Sequence, residues 1–181
     1  MKIIVTDPGV HGSTLFVNTT TKYYKFIPHY NKDSFYNAQG LYDELCNDSD
    51  YNIWYYEDVR KIPGTHAVTN KKQLLVQINA ISMLNQNVGQ IMTLADLFSI
   101  TTKNVHPTSW ESWYKRQGHN IPSGHANYSK RKSYYAKLFL DIHQFRYIHQ
   151  NKITIAKDFS DTWAIFCYIK NNTGKLLING V

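Results

Sequence analysis

Apolar residues recur along this chain with two spacings, and each change of spacing marks a change of element. Ile3 to Thr6 is a β-branched run stopped by Asp7-Pro8-Gly9, which predicts a buried strand ending in a turn. After Gly12, Ser13 to Val17 and Lys22 to Ile27 flank the polar Asn18-Thr19-Thr20-Thr21 and read as two antiparallel strands of a meander. Residues 31 to 50 are polar, with a short helix expected from Ser34 to Leu45 and Asn47-Asp48-Ser49-Asp50 as a solvated turn. Ile53-Trp54-Tyr55-Tyr56 then reads as a fourth strand, which delivers Glu57 and Asp58 at its end. From Thr69, Leu74, Leu75, Ile78, Ile81 and Met83/Leu84 keep helical spacing, and Ile91, Leu94, Ala95 and Phe98 continue it past Gly89, predicting two helices or one kinked helix.

Lys103 to His106 reads as a last short strand, followed after Pro107 by a short amphipathic helix over Ser109 to Tyr114. Gln117 to Asn127 carries Gly118, Pro122 and Gly124 without apolar periodicity and is expected to be a mobile loop. Helix returns from Ser129 to Leu140, opening on Lys130-Arg131-Lys132, and again from Lys157 to Phe166 with an acidic first turn. Strands and helices in this order make an α/β pattern with a mixed sheet, as one domain over residues 1–181.

Composition narrows the class. Hydrophobic residues make up 43% and aromatics 14% of the 181 residues, enough burial to offset the entropy of ordering the chain. The longest apolar run, Trp163 to Ile169, falls far short of the ~20 residues that span a bilayer, so no membrane association is expected. The N-terminus places Asp7 where a secretory signal needs apolar residues, and Cys46 and Cys167 offer neither a disulfide framework nor metal-ligand spacing. A reduced, cytoplasmic setting is therefore expected. Lys and Arg number 20 against 13 Asp and Glu, a formal charge of +7, which favours an anionic partner and nucleic acid first.

Against this basic background four acids stand out. Asp7 follows the first strand, Glu57 follows the fourth, and Asp158 and Asp161 are spaced to share one helix face. If the first and fourth strands are parallel neighbours, the four carboxylates converge and repel one another unless hard divalent cations neutralise them. Two such ions ~3.5 to 4 Å apart can activate a water and stabilise the leaving oxygen of a phosphodiester. Taken singly, each acid also has a structural role open to it: Asp7 can begin a turn, Asp158 can be an N-cap, and Asp161 can complement the helix dipole. Trp110 and Trp113 suit core anchors better than base stackers, and the eight histidines show no i, i+4 pair for zinc.

Several motifs also resemble those of one family. Ile3 to Gly9 resembles the opening strand and Asp-Pro-Gly of RuvC-like Holliday junction resolvases, and Trp54-Tyr55-Tyr56-Glu57 resembles their strand ending in glutamate. Val105 to Trp110 is similar to the Val-x-Pro-x-x-Trp segment of the phage branch, and Ser129-Lys130-Arg131-Lys132-Ser133 with Ala136 to Phe139 is similar to its basic helix. Asp158-Phe159-Ser160-Asp161-Thr162-Trp163-Ala164 resembles the closing acidic helix, although Thr162 stands where alanine is common.

The resemblance implies an RNase H-like fold with strand order 3-2-1-4-5. It also implies a homodimer that binds branched DNA, especially four-way junctions, and makes paired symmetric nicks. Asp7, Glu57, Asp158 and Asp161 would serve as catalytic metal ligands for Mg2+, with Mn2+ as substitute. It further points Lys130, Arg131 and Lys132 at phosphates, with Lys130 and Lys132 both candidates for the scissile one. Lys61 lies in the stretch Arg60 to Val68, which reads either as a wedge entering the junction or as a plain surface loop. Flaps, forks and RNA–DNA hybrids are alternative substrates for the same site, and a non-catalytic nucleic-acid-binding module is the alternative of another class.

Overall fold

The computed structural model describes residues 2–9, 11–21, 23–29, 37–58, 71–122, 128–143 and 152–176. Within the helices, the side chains of 71–77, 80, 128, 139–143, 152–156, 158 and 173–176 lie outside this description. Two compact units are present, Met1–His106 and Pro107–Val181.

The first unit runs β1 (Lys2–Asp7), β2 (Ser13–Asn18), β3 (Tyr23–Pro28), α1 (Ala38–Asn47), β4 (Ile53–Glu57), α2 (Lys71–Leu97) and β5 (Thr101–Val105). Its five strands form one mixed sheet in the order β3-β2-β1-β4-β5, the order expected of an RNase H-like fold. Short turns join β1, β2 and β3, which pair antiparallel, whereas β4 lies parallel to both β1 and β5. Parallel neighbours need a crossover, and α2 supplies the one between β4 and β5.

Alternation along the strands sorts the side chains. Ile4, Phe16, Ile27, Trp54 and Tyr56 join Leu41 and Leu45 of α1 and Ile91 and Ala95 of α2 in one buried cluster. Ile3, Val5, Leu15 and Val17 point to the opposite face and are also fully buried. Burial on both faces explains why β1 reads as a continuous apolar run rather than an alternating one.

Asn37 sets the start of α1, its side chain accepting the Gly40 N–H at 3.1 Å, so the helix begins at Ala38 rather than Ser34. The long apolar periodicity resolves into a single helix, α2, which runs through Gly89. Among the described residues only Ser99 and Gly118 have positive φ, so Gly89 keeps a helical backbone and ends nothing. Ser99, at φ 55°, stands instead just past the end of α2, where Ile100 N donates to Ala95 O at 2.8 Å.

The second unit holds α3 (Pro107–Arg116), α4 (Tyr128–His143) and α5 (Lys152–Leu176), with α5 packed on both α3 and α4. Trp110 and Tyr114 of α3 are buried, and both rings meet Tyr135 of α4, at 5.2 and 5.7 Å between centroids. Trp110 is thus a core anchor, as its spacing indicated. Trp113 is half-buried and stacks edge-on against Tyr168 of α5. Of the expected loop, residues 117–122 are non-helical and 123–127 lie outside the described residues.

The start of α5 also differs from expectation. α5 begins at Lys152 rather than Lys157, so it has no acidic residue in its first turn, and Asp158 and Asp161 belong to the helix interior.

Two glycines of the first unit should respond oppositely to alanine. A Cβ at Gly12 would lie 2.0 Å from the Asp7 carbonyl oxygen, whereas one at Gly89 would meet nothing within 4 Å. Urea denaturation should show Gly12→Ala destabilised by more than ~2 kcal/mol, since backbone must move. Gly89→Ala should be stabilised by roughly 0.5 to 1 kcal/mol through helix propensity.

Candidate functional site

In the first unit the parallel β1–β4 ladder matches Val5 with Tyr55 and Thr6 with Tyr56. Asp7 and Glu57 are the next residue on each strand. They therefore stand side by side at one end of the sheet, on the face shared by Val5 and Tyr55. Asp7 is 6% exposed, and its Oδ1 accepts the Gly9 N–H at 2.9 Å. The turn-forming role open to Asp7 is thus real, and it orients the carboxylate while leaving Oδ2 outside that bond. The turn is closed by Gly12 N donating to Gly9 O at 2.8 Å and is tied to α2 by buried Asn87, whose Nδ2 donates to Pro8 O at 2.8 Å. The end of β4 is held by Asp58 N donating to Val105 O at 2.8 Å.

In the second unit Asp161 faces α4, with Lys132 Nζ 3.0 Å from its Oδ2 and both side chains largely buried. Arg131, the adjacent residue, pairs with Glu111 of α3 at 3.2 Å, while Lys130 is exposed. Lys132 is thus paired with an acid of α5, while the choice between Lys130 and Lys132 for the scissile phosphate stays open. Since helix-end effects fade within the first turn, neither the N-cap role for Asp158 nor the dipole role for Asp161 applies. The three-residue spacing still puts both on one helix face. The Asp158 side chain lies outside the described residues, as do Lys61 and the whole stretch 60–68.

Tyr135, one turn beyond Arg131, has a buried hydroxyl with no hydrogen-bond partner among the described residues. Burial first, then the charges of Glu111 and Asp161, push its ionisation well above the ordinary tyrosine value. Burial likewise pushes the Cys167 thiol up to about 11, so this cysteine is an inert core residue.

The donor chemistry suits a hard divalent cation. In the first unit Asp7 and Glu57 offer oxygen only, and in the second, taken by itself, Asp161 does too and already has a cationic partner in the Lys132 ammonium. Among the described residues no group of three or more His, Cys, Asp or Glu side chains gathers as a cation cage by itself.

No protein-family model matches the chain, and no curated protein matches it. Among solved structures it is similar to T. thermophilus RuvC in complex with a Holliday junction substrate. The identity is 7%, the match covers 94% of this chain and 96% of that chain, and the TM-score is 0.49. Among the described residues no helix is long and apolar enough to cross a membrane.

Sequence reasoning passed over His29, Thr6, Thr14, Asn87 and Glu111. The signal for the first three was present in the strand alternation. Thr6 follows Ile4 by two positions, Thr14 precedes Phe16 by two and His29 follows Ile27 by two, so all three fall on the core face, where polar side chains must find partners.

His29 is 2% exposed, and burial lowers its pKa from 6.5 to about 4, opposed by the nearby Asp7 charge and the Gly9 carbonyl. The unfolded chain therefore takes up a proton between pH 6.5 and pH 4 that the folded protein refuses. The stability contribution is complete above pH 6.5 and is lost as pH falls toward 4. Between pH 7 and pH 5 the wild type should lose roughly 2 kcal/mol more than His29→Gln in chemical denaturation. Parallel stability curves for the two proteins would show that His29 is not held neutral.

Proposed function

We propose that this chain is a metal-dependent, structure-selective endodeoxyribonuclease that nicks four-way DNA junctions as a homodimer. The observation that supports the reading is the β1–β4 register, which makes Asp7 and Glu57 neighbouring positions on one face of the sheet. Carboxylates from neighbouring positions can share one hard cation. In this reading Asp158 and Asp161 add further oxygen donors from one face of α5, and Mg2+, with Mn2+ as substitute, is the ion that suits such a set. When bound, the ion supplies charge stabilisation to a scissile phosphate and makes water a better nucleophile at neutral pH.

The chain's own residues do the rest. The Asp7–Gly12 turn keeps one carboxylate oriented, and Lys132 holds Asp161 in place from α4. Exposed Lys130 is available to a phosphate, and Lys61 is assigned the same task. Arg131 is committed to Glu111, so its part in DNA contact is shared with bracing α4 against α3. The homodimer is assigned to α2, where Ile78 and Met83 are exposed at 50% and 40% on a helix whose other end is buried in the core.

End-labelled four-way junctions, forks, flaps and RNA–DNA hybrids, each incubated with and without Mg2+, test the reading. Paired incisions in the junction that require the ion are the expected result. Preference for another substrate would move the same chemistry to that substrate, and binding without cleavage of any would leave only a nucleic-acid-binding module. Asp161→Asn should lower cleavage by orders of magnitude while junction binding persists or tightens, because acid–phosphate repulsion is reduced. Loss of the Lys132 pair should cost on the order of 1 to 3 kcal/mol of stability. Wild-type cleavage by this variant in Mg2+ would remove Asp161 from the site.

A further inference from the structure

We propose that His29 is a positioning residue for Asp7, and that a one-way line of buried hydrogen bonds from Trp54 sets the ring tautomer it needs. The proposal deepens the reading of Asp7 as a cation ligand and rests on it, but the order of the turn can be measured independently.

Trp54 Nε1 lies 2.8 Å from Thr6 Oγ1, Thr6 Oγ1 lies 2.9 Å from Thr14 Oγ1, and Thr14 Oγ1 lies 2.9 Å from His29 Nε2. The other ring nitrogen, Nδ1, faces Gly9 O at 3.4 Å. All four side chains belong to residues at most 2% exposed. An indole N–H only donates, so Thr6 accepts from Trp54. A carbonyl oxygen only accepts, so the tautomer that satisfies the Gly9 contact carries its proton on Nδ1 and leaves Nε2 as acceptor. Nε2 then takes the Thr14 proton, and the Thr14 oxygen takes that of Thr6. Each hydroxyl in this arrangement donates once and accepts once. The opposite tautomer would turn a bare Nδ1 lone pair toward the Gly9 carbonyl at a residue only 2% exposed.

The line runs from β4 through β1 and β2 to the residue that follows β3, and it ends at the turn that carries Asp7. There the His29 main chain grips the turn a second time, its N–H donating to Gly12 O at 3.1 Å. Gly12 N donates to Gly9 O at 2.8 Å, and Gly9 N donates to Asp7 Oδ1 at 2.9 Å. Ring and backbone of one residue thus hold both arms of the turn, and the turn holds the carboxylate. Partners one step behind a cation ligand fix its orientation in the same manner.

Thr14→Val keeps the side-chain shape and removes the hydroxyl, whereas Thr14→Ser keeps the hydroxyl. Three readouts separate positioning from mere stability: the nitrogen chemical shifts of the His29 ring, hydrogen exchange at the Gly9 amide, and Mn2+ affinity from the free-ion electron paramagnetic resonance signal. Wild type should show the Nδ1–H ring. Thr14→Val should shift the ring signals, raise Gly9 exchange about tenfold and weaken Mn2+ binding by roughly 10- to 100-fold, while Thr14→Ser stays near wild type in all three.

An Nε2–H ring in the wild type overturns the proposal even if Thr14→Val fails to fold. So do unchanged Gly9 exchange and unchanged Mn2+ affinity in a folded Thr14→Val. A wild type whose Mn2+ binding is untouched by Asp7→Asn overturns the ligand reading instead, and ring tautomer with Gly9 exchange then decide the hydrogen-bond line alone.

Discussion

The pairing of β1 with β4 is the constraint from which the acidic edge of the sheet follows. Their parallel register matches Ile3 to Thr6 with Ile53 to Tyr56, so the first residue beyond the ladder on each strand is an acid. A slip of one residue would send Asp7 and Glu57 to opposite faces and would carry either Ile4 or Trp54, whichever strand moved, out of the core. The register is therefore set by burial. Ile4 and Trp54 are fully buried, and large-to-small changes at such side chains cost about 2 to 5 kcal/mol each. Apolar packing thus fixes two acidic positions side by side.

The charge distribution deepens this picture. The formal excess of +7 suggests a broadly cationic surface, yet several of the cations are engaged within the fold. Lys2 bridges Asp48 and Asp50, Lys25 meets the buried Glu44, and Arg131 and Lys132 brace α4 against Glu111 and Asp161. The pair with exposed Asp50 contributes little, while breaking the Lys132–Asp161 pair, 13% and 15% exposed, would cost more because it leaves a poorly solvated charge behind. A basic cluster in sequence is consequently not a row of equivalent phosphate contacts. Lys130, Arg131 and Lys132 are consecutive, and helical geometry gives each a different neighbour.

What the sequence disclosed follows the same physics. The antiparallel meander was legible because turn chemistry is local, Asp7-Pro8-Gly9 closing one strand and the polar Asn18 to Thr21 separating the next two, whereas the full order 3-2-1-4-5 came only with the family resemblance. The acids Asp7 and Glu57 were legible because they end apolar runs. Helix boundaries were less so. Gly89 looked like a break, but buried residues on either side, Asn87 and Ile91, keep α2 continuous through it. The start of α5 was read five residues late because Asp158 and Asp161 mimic an acidic first turn, a signal that says nothing of how far helix extends before them. The polar line from Trp54 to His29 was illegible as a network, since only the sheet register brings Thr6 and Thr14 opposite each other.

In the proposed function Asp7 and Glu57, brought to neighbouring positions by register, share one divalent cation. Crystals of the full chain grown with Mn2+ and measured at the manganese absorption edge test it most directly. An anomalous peak between the Asp7 and Glu57 carboxylates, lost in Glu57→Gln, is expected. Ordered carboxylates with no anomalous density between them at saturating Mn2+ would contradict it.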